Sequence, residues 1–252
     1  MLCLDTESPS DIVSFSRGLW HGAQGTNAQT LGLRNRWVDK PVQLIVFANG
    51  RAGIMGEHSV MDGTPTARMC DEMLDALYDP KFDHGSAPSG APVTKPQPLD
   101  WQLEQSTLNA IQKATEDARA LIDGQTLGYR LTAYGKKAIK AFGVSPDSWA
   151  QMIVQLAYAR LLRATGKSRE GGTYEAASTR KFLKGRTEAI RVVSEESDRF
   201  VAAMDDEGVD VQERKRLFAE AAKKHIERAK LGGNGQGVDR HLLGTLFILD
   251  MT

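Results

Sequence analysis

The chain has 252 residues, enough for one large domain or two small ones. Its 41% hydrophobic and 25% charged content is that of a soluble globular protein. Its formal net charge of +0 removes the bulk electrostatic case for nucleic acid or an anionic membrane as partner. Cys3 and Cys70 are too few for a disulfide framework and too far apart for a metal motif. No metal site is therefore expected, and a reducing compartment or an organelle matrix fits best. No run approaches the roughly 18 apolar residues of a membrane helix, so no transmembrane segment is expected. Residues 1–25 lack the basic start and apolar centre of a secretory signal.

Taken in chain order, Ser8-Pro9-Ser10-Asp11 precedes a short helical pattern over 12–20 and can cap it. Residues 21–32 are rich in Gly, Gln and Asn and read as a loop. Residues 42–47 are apolar, Asn49-Gly50 is a turn signal, and 51–56 return, which predicts a β-hairpin with a type I′ turn. Thr64-Pro65 opens a helix whose apolar residues recur at helical spacing to about Tyr78. Residues 85–98 carry Pro88, Pro92, Pro96 and Pro98 among Gly and Ser, an extended linker that places a domain boundary at 98. Beyond it, 103–122 is an amphipathic helix, and 125–133 is short and β-like. Ser145-Pro146-Asp147 starts a helix over 148–163, with Ser as N-cap and Pro at the first position. Residues 173–182 and 187–193 read as strands around Lys184-Gly185-Arg186. Helices follow over 195–204, 211–231 and 239–249. The order is that of an α/β protein in two lobes, 1–98 and 99–252.

Five groups of residues invite a chemical reading. His58 lies just past the second hairpin strand, with Asp62-Gly63 four residues on. An imidazole there can act as a general base, the Asp steadying the backbone or pairing with an Arg. The plainer reading is a satisfied turn histidine. Lys136 and Lys140, four apart on one helix face, can grip a phosphate as two point charges or simply be solvated. Asp147 reads first as a helix-start carboxylate complementing the dipole. Tyr174, Thr187 and Arg240 could together hold a carboxylate, a guanidinium flanked by two hydroxyls, although their spacing does not show that they meet. The run Gly232-Gly233-Asn234-Gly235-Gln236-Gly237 follows no strand and is not a dinucleotide fingerprint.

Several motifs occur in a telling order. They are Asn35-Arg36-Trp37-Val38-Asp39-Lys40-Pro41-Val42-Gln43, Gly56-Glu57-His58-Ser59 with Asp62-Gly63, and Tyr134-Gly135-Lys136 with Lys140 and Ser145-Pro146-Asp147. Gln155-Leu156-Ala157-Tyr158, Thr173-Tyr174-Glu175-Ala176-Ala177-Ser178, Gly185-Arg186-Thr187-Glu188 and Asp239-Arg240-His241-Leu242-Leu243-Gly244 follow. From about residue 8 onward the chain resembles the carnitine/choline acyltransferase family, and specifically its carnitine-type members.

That resemblance implies a partial chloramphenicol acetyltransferase-like fold with two α/β lobes and a tunnel between them. It implies reversible transfer of an acyl group, short-chain by expectation, between coenzyme A and the hydroxyl of carnitine. His58 would be the catalytic base, acting without an acyl-enzyme. Lys136 and Lys140 would meet the 3′-phosphate of coenzyme A, Asp147 its adenosine end, and Tyr174, Thr187 and Arg240 the carnitine carboxylate. Coenzyme A would be a co-substrate, with no permanently bound cofactor. A monomer is expected for a full-length protein, in the mitochondrial or peroxisomal matrix or the cytoplasm. Arg240 separates carnitine from choline, which has no carboxylate. Ala189 departs from the Thr common in carnitine enzymes. The family is more than twice as long, so the chain resembles an incomplete member lacking the oxyanion-stabilising Ser-Thr-Ser stretch. Two other readings remain: another acyltransferase with the same histidine motif, or a non-catalytic remnant.

Overall fold

A computed structural model of the chain describes residues 1–22, 32–85, 95 and 97–249. The Gly-rich loop and most of the Pro-rich linker expected from the sequence lie outside the described residues. The architecture is mixed α/β, in two compact units, Met1–Arg130 and Leu131–Thr252. The boundary expected at 98 falls inside the first of them. No helix among the described residues is long and apolar enough to cross a membrane.

The first unit is built on a three-stranded sheet in the order β1 (Leu2–Asp5), β2 (Val42–Phe47), β3 (Ala52–Gly56). Strand β1 runs parallel to β2, with Cys3 opposite Ile45, and β2 runs antiparallel to β3, with Leu44 opposite Ile54. Helix α1 (Ile12–His21) makes the crossover that a parallel pair requires. Asp11 caps it, its carboxylate accepting from the Val13 and Ser14 amides at 2.9 Å each. The alternation of β2 sends Gln43, Ile45 and Phe47 inward, where Cys3, Ile45 and Phe47 are packed by Phe15, Leu19 and Met55. The ring of Phe15 meets Phe47 edge-on at 5.7 Å.

A polar knot secures this layer. Arg36 is fully buried and grips Asp5 with two nitrogens, at 2.6 and 3.1 Å. The same guanidinium donates to the carbonyls of Gly18, Leu19 and Asn35. Asn35 donates to the Leu4 carbonyl and to Asp5, and buried Gln43 accepts from the Trp37 amide at 2.6 Å. The Asn35-Arg36-Trp37 motif therefore ties β1, α1 and β2 together.

The hairpin forms as the sequence predicts, but its turn is not type I′. That turn needs positive φ at both Asn49 and Gly50, and only Gly50 has it, at 79°. Asn49 is held otherwise: its amide donates to the Pro9 carbonyl and its oxygen accepts from the Arg51 amide. Phe47 then donates to the carbonyl of Arg51 and accepts from Gly50, giving a longer connection with one left-handed glycine. Helices α2 (Gly63–Tyr78) and α3 (Gln105–Asp123) complete the unit. The β-like stretch at 125–133 forms no strand and joins neither sheet.

The second unit comprises α4 (Lys136–Ala141), α5 (Pro146–Thr165), β4 (Glu175–Ser178), β5 (Thr187–Ile190), α6 (Glu195–Met204), α7 (Val211–Gly233) and α8 (Asp239–Leu249). Ser145 caps α5 with Pro146 in its first turn, as read from the sequence. The two strands pair antiparallel, Glu175 with Ile190 and Ser178 with Thr187, and both are shorter than expected. Helices α5, α6 and α7 share a core of Met152, Val192, Phe200, Ala203, Leu217 and Ala221. Ser194 and Ser197 close a reciprocal cap on α6. Helix α7 packs against both α5 and the strand pair, which brings its buried stripe to the region described next.

Candidate active site

His58 lies two residues beyond β3, in an exposed turn of the first unit. Glu57 shapes that turn. Its carboxylate accepts from the Ser59 hydroxyl and, at 2.9 Å, from the Ser59 amide. These bonds, the hydroxyl first, hold the Glu57 carboxyl below its usual range. Asp62 ends the turn as the N-cap of α2, accepting from the Gly63 amide at 2.7 Å. The first of the two roles open to it, backbone steadying, is filled by that bond. Between these anchors, His58 Nδ1 lies 3.1 Å from the Met61 carbonyl oxygen. A carbonyl only accepts, so Nδ1 carries the hydrogen and the basic lone pair falls on Nε2.

The other candidates belong to the second unit. Lys136 and Lys140 are exposed on one face of α4, with no ion-pair partner among the described residues. Asp147 sits in the first turn of α5 but also belongs to a cluster. His225, 2% exposed on the inner face of α7, hydrogen-bonds through Nδ1 to the Ser148 hydroxyl at 2.9 Å and through Nε2 to Glu175 at 2.7 Å. Ligand atoms of Asp147, Glu175 and His225 all lie within 4.8 Å of one another. Burial raises the Glu175 carboxyl above its ordinary value; the His225 bond works against this and the Asp147 charge works with it.

The composition of this cluster invites two other chemistries. Ser148, His225 and Glu175 are the residue types of a nucleophile relay, but Ser148 is 0% exposed and cannot meet a substrate. His225 and Glu175 are at hydrogen-bonding distance, whereas two ligands of one tetrahedral zinc lie about 3.3 Å apart. The arrangement is that of a hydrogen-bonded network. It borders a pocket of about 320 Å³ lined by Ser145, Asp147, Lys181, Lys230 and Asn234, among others. Sequence reading passed over His225. Its signal was a polar residue continuing the stripe of Leu217 and Ala221 at four-residue spacing, on the face that becomes buried.

Of the three residues read as a carboxylate site, two meet. Arg240 Nη2 donates to the Tyr174 hydroxyl at 3.3 Å, and its guanidinium carbon lies 5.8 Å from the ring centre. Thr187 pairs with Ser178, four residues along β4 from Tyr174, and its hydroxyl donates to the Glu188 carbonyl. Buried Glu188 joins these parts: one oxygen accepts from the Ala189 amide at 2.7 Å and the Arg240 amide at 3.3 Å. Gly237 permits that bond, since a Cβ there would sit 2.5 Å from Glu188 Cγ. Asp239, 3.8 Å from Arg240, makes a closer ion pair with Arg191.

Residues 1–249 match the family model described as Choline/Carnitine o-acyltransferase. The mitochondrial carnitine O-acetyltransferase of Saccharomyces cerevisiae is 37% identical over 97% of this chain and 35% of its own length. The muscle isoform of human carnitine O-palmitoyltransferase 1 is 32% identical, over 94% of this chain and 30% of its own. The peroxisomal carnitine O-octanoyltransferase of Bos taurus is 30% identical, over 98% of this chain and 39% of its own. The chain thus spans about a third of the length of each. A single family accounts for almost all of the sequence, and the chain belongs to the choline/carnitine O-acyltransferases.

Proposed function

We propose that the protein takes part in reversible acyl transfer between coenzyme A and the hydroxyl of carnitine. His58 Nε2 takes the hydroxyl proton and the oxygen attacks the thioester carbonyl. The carbon–sulfur bond breaks, and the imidazolium returns the proton to the leaving thiolate. The products are O-acylcarnitine and free coenzyme A, with no acyl-enzyme. The His58 tautomer supports this role, because the Met61 carbonyl orients the ring and leaves Nε2 basic. Lys136 and Lys140 are assigned to the 3′-phosphate, Asp147 to the coenzyme A side, and Tyr174, Thr187 and Arg240 to the carnitine carboxylate. A chloramphenicol acetyltransferase-like arrangement of lobes belongs to the same reading. So does a short acyl chain. An organelle matrix agrees with relatives named mitochondrial and peroxisomal.

The observation that carries carnitine as acceptor is the Arg240–Tyr174 contact. The guanidinium is held against an uncharged hydroxyl, while its nearest carboxylate pairs more closely with Arg191. A planar donor so placed suits a carboxylate-bearing acceptor. The test is carnitine-dependent release of thiol from acetyl-CoA, comparing wild type with Arg240→Gln. The variant is expected to raise the KM for carnitine at least tenfold and leave that for acetyl-CoA within about twofold. Equal effects on both substrates would overturn the assignment.

A further inference from the structure

We propose that His225 is a positioning residue for the acyl-CoA side of the site, holding the first turn of α5 and strand β4 in register through its two ring nitrogens. This rests on the functional reading above, which assigns Asp147 to coenzyme A.

The geometry makes the case. The ring is supplied by α7, which packs against both elements that it joins. It bonds Ser148, the neighbour of Asp147, at 2.9 Å, and Glu175, the first residue of β4, at 2.7 Å. Ser148 is 0% exposed and the side chains of His225 and Glu175 are 1% and 14% exposed, so the Ser148 bond is closed to water and the Glu175 bond is largely shielded. An imidazole is rigid and its nitrogens diverge, so one ring fixes the distance between two elements that come from separate stretches of chain. The dependent groups are the carboxyls of Asp147 and Glu175, beside a pocket that also presents Lys181 and Lys230. Lys181 is itself held by Asn234 at 2.7 Å. Loss of the ring frees the α5 turn to shift, and with it the only acidic group of that turn. On the acceptor side the Tyr174 hydroxyl keeps a bond of its own, from Arg240, so that side is expected to be disturbed less than the α5 turn.

The test compares wild type with His225→Leu, which fills the space but bonds neither partner, and with His225→Gln, whose amide can reach Glu175. His225→Leu is expected to raise the KM for acetyl-CoA roughly tenfold, with the KM for carnitine within about twofold and kcat less affected than the acetyl-CoA KM. His225→Gln is expected to recover most of that loss. Hydrogen exchange on the same proteins should quicken at the first turn of α5 and at β4 while α6 stays protected. An unchanged KM for acetyl-CoA, or equal loss for both substrates, overturns the proposal. So does exchange that rises equally throughout α5, α6 and α7, the mark of a merely weakened core. If wild type shows no carnitine-dependent turnover, the functional reading fails. Exchange and calorimetric titration with coenzyme A then decide the positioning claim, and unaltered exchange in His225→Leu sinks it.

Discussion

Asp5 and Arg36 show how much one buried pair holds. Burial alone would raise the Asp5 carboxyl; the hydrogen bonds from Arg36 and Asn35 and the Arg36 charge outweigh it and bring the carboxyl below its ordinary value of 3.8. A group lowered in the folded state adds stability above its ordinary value and loses it as pH falls through the folded value. Replacing Arg36 by Met should cost roughly 3–5 kcal/mol, because Asp5 is left buried without its partner. Urea unfolding of wild type and Arg36→Met measures this, and the difference should shrink in acid as Asp5 protonates. Glu175 works in the opposite sense. Its raised value makes its contribution complete below the ordinary 4.5 and lost as pH climbs through the folded value. Glu175→Gln stays neutral and still offers an oxygen to His225. It should lose less stability than wild type as pH climbs above 4.5 in the same measurement. A steeper decline than wild type would show that burial does not dominate at that carboxyl.

Among the elements, those with strong local signals formed where the sequence placed them. Ser145-Pro146 starts α5 because a hydroxyl cap and a preset φ act within a few residues. Strand β1 carried no such signal. Its four residues, Leu2–Asp5, show no flanking turn, and the burial of Cys3 among them comes with pairing to β2 some forty residues away. The turn at Asn49 failed for the same reason: the Pro9 carbonyl, remote in sequence, captures its side chain. The approach to α8 depends on Gly237 in a way that spacing could not reveal. Gly237→Ala should push Glu188 from the Arg240 amide and cost about 1–3 kcal/mol. It should also raise the carnitine KM more than the acetyl-CoA KM, as steady-state kinetics would show. A variant kinetically like wild type would mean that the Glu188 bond does not place Arg240.

At the scale of the molecule, much apolar side chain faces outward. Leu242, Leu246, Phe247, Ile248 and Leu249 of α8 are each more than half exposed, as are Leu2 and Leu4 on β1. Exposed apolar surface of this kind binds partners or dyes. The 252-residue chain is expected to bind anilinonaphthalene sulfonate strongly in native buffer and to sediment as more than a monomer. Leu246→Lys with Ile248→Lys should weaken both effects, and weak dye binding by the unmutated chain would contradict the exposure. The ordered motifs made the family legible in sequence, because residues such as Arg36, His58 and Arg240 are demanded by type and order. Helix positions were legible too, since caps and periodicity are local. Only the tertiary structure decided what each motif residue touches. It turned Asn35-Arg36 into a structural knot, set Arg240 against Tyr174, and buried His225 between Ser148 and Glu175. Those contacts join residues tens of positions apart, and a distance across a fold is set by packing rather than by spacing along the chain.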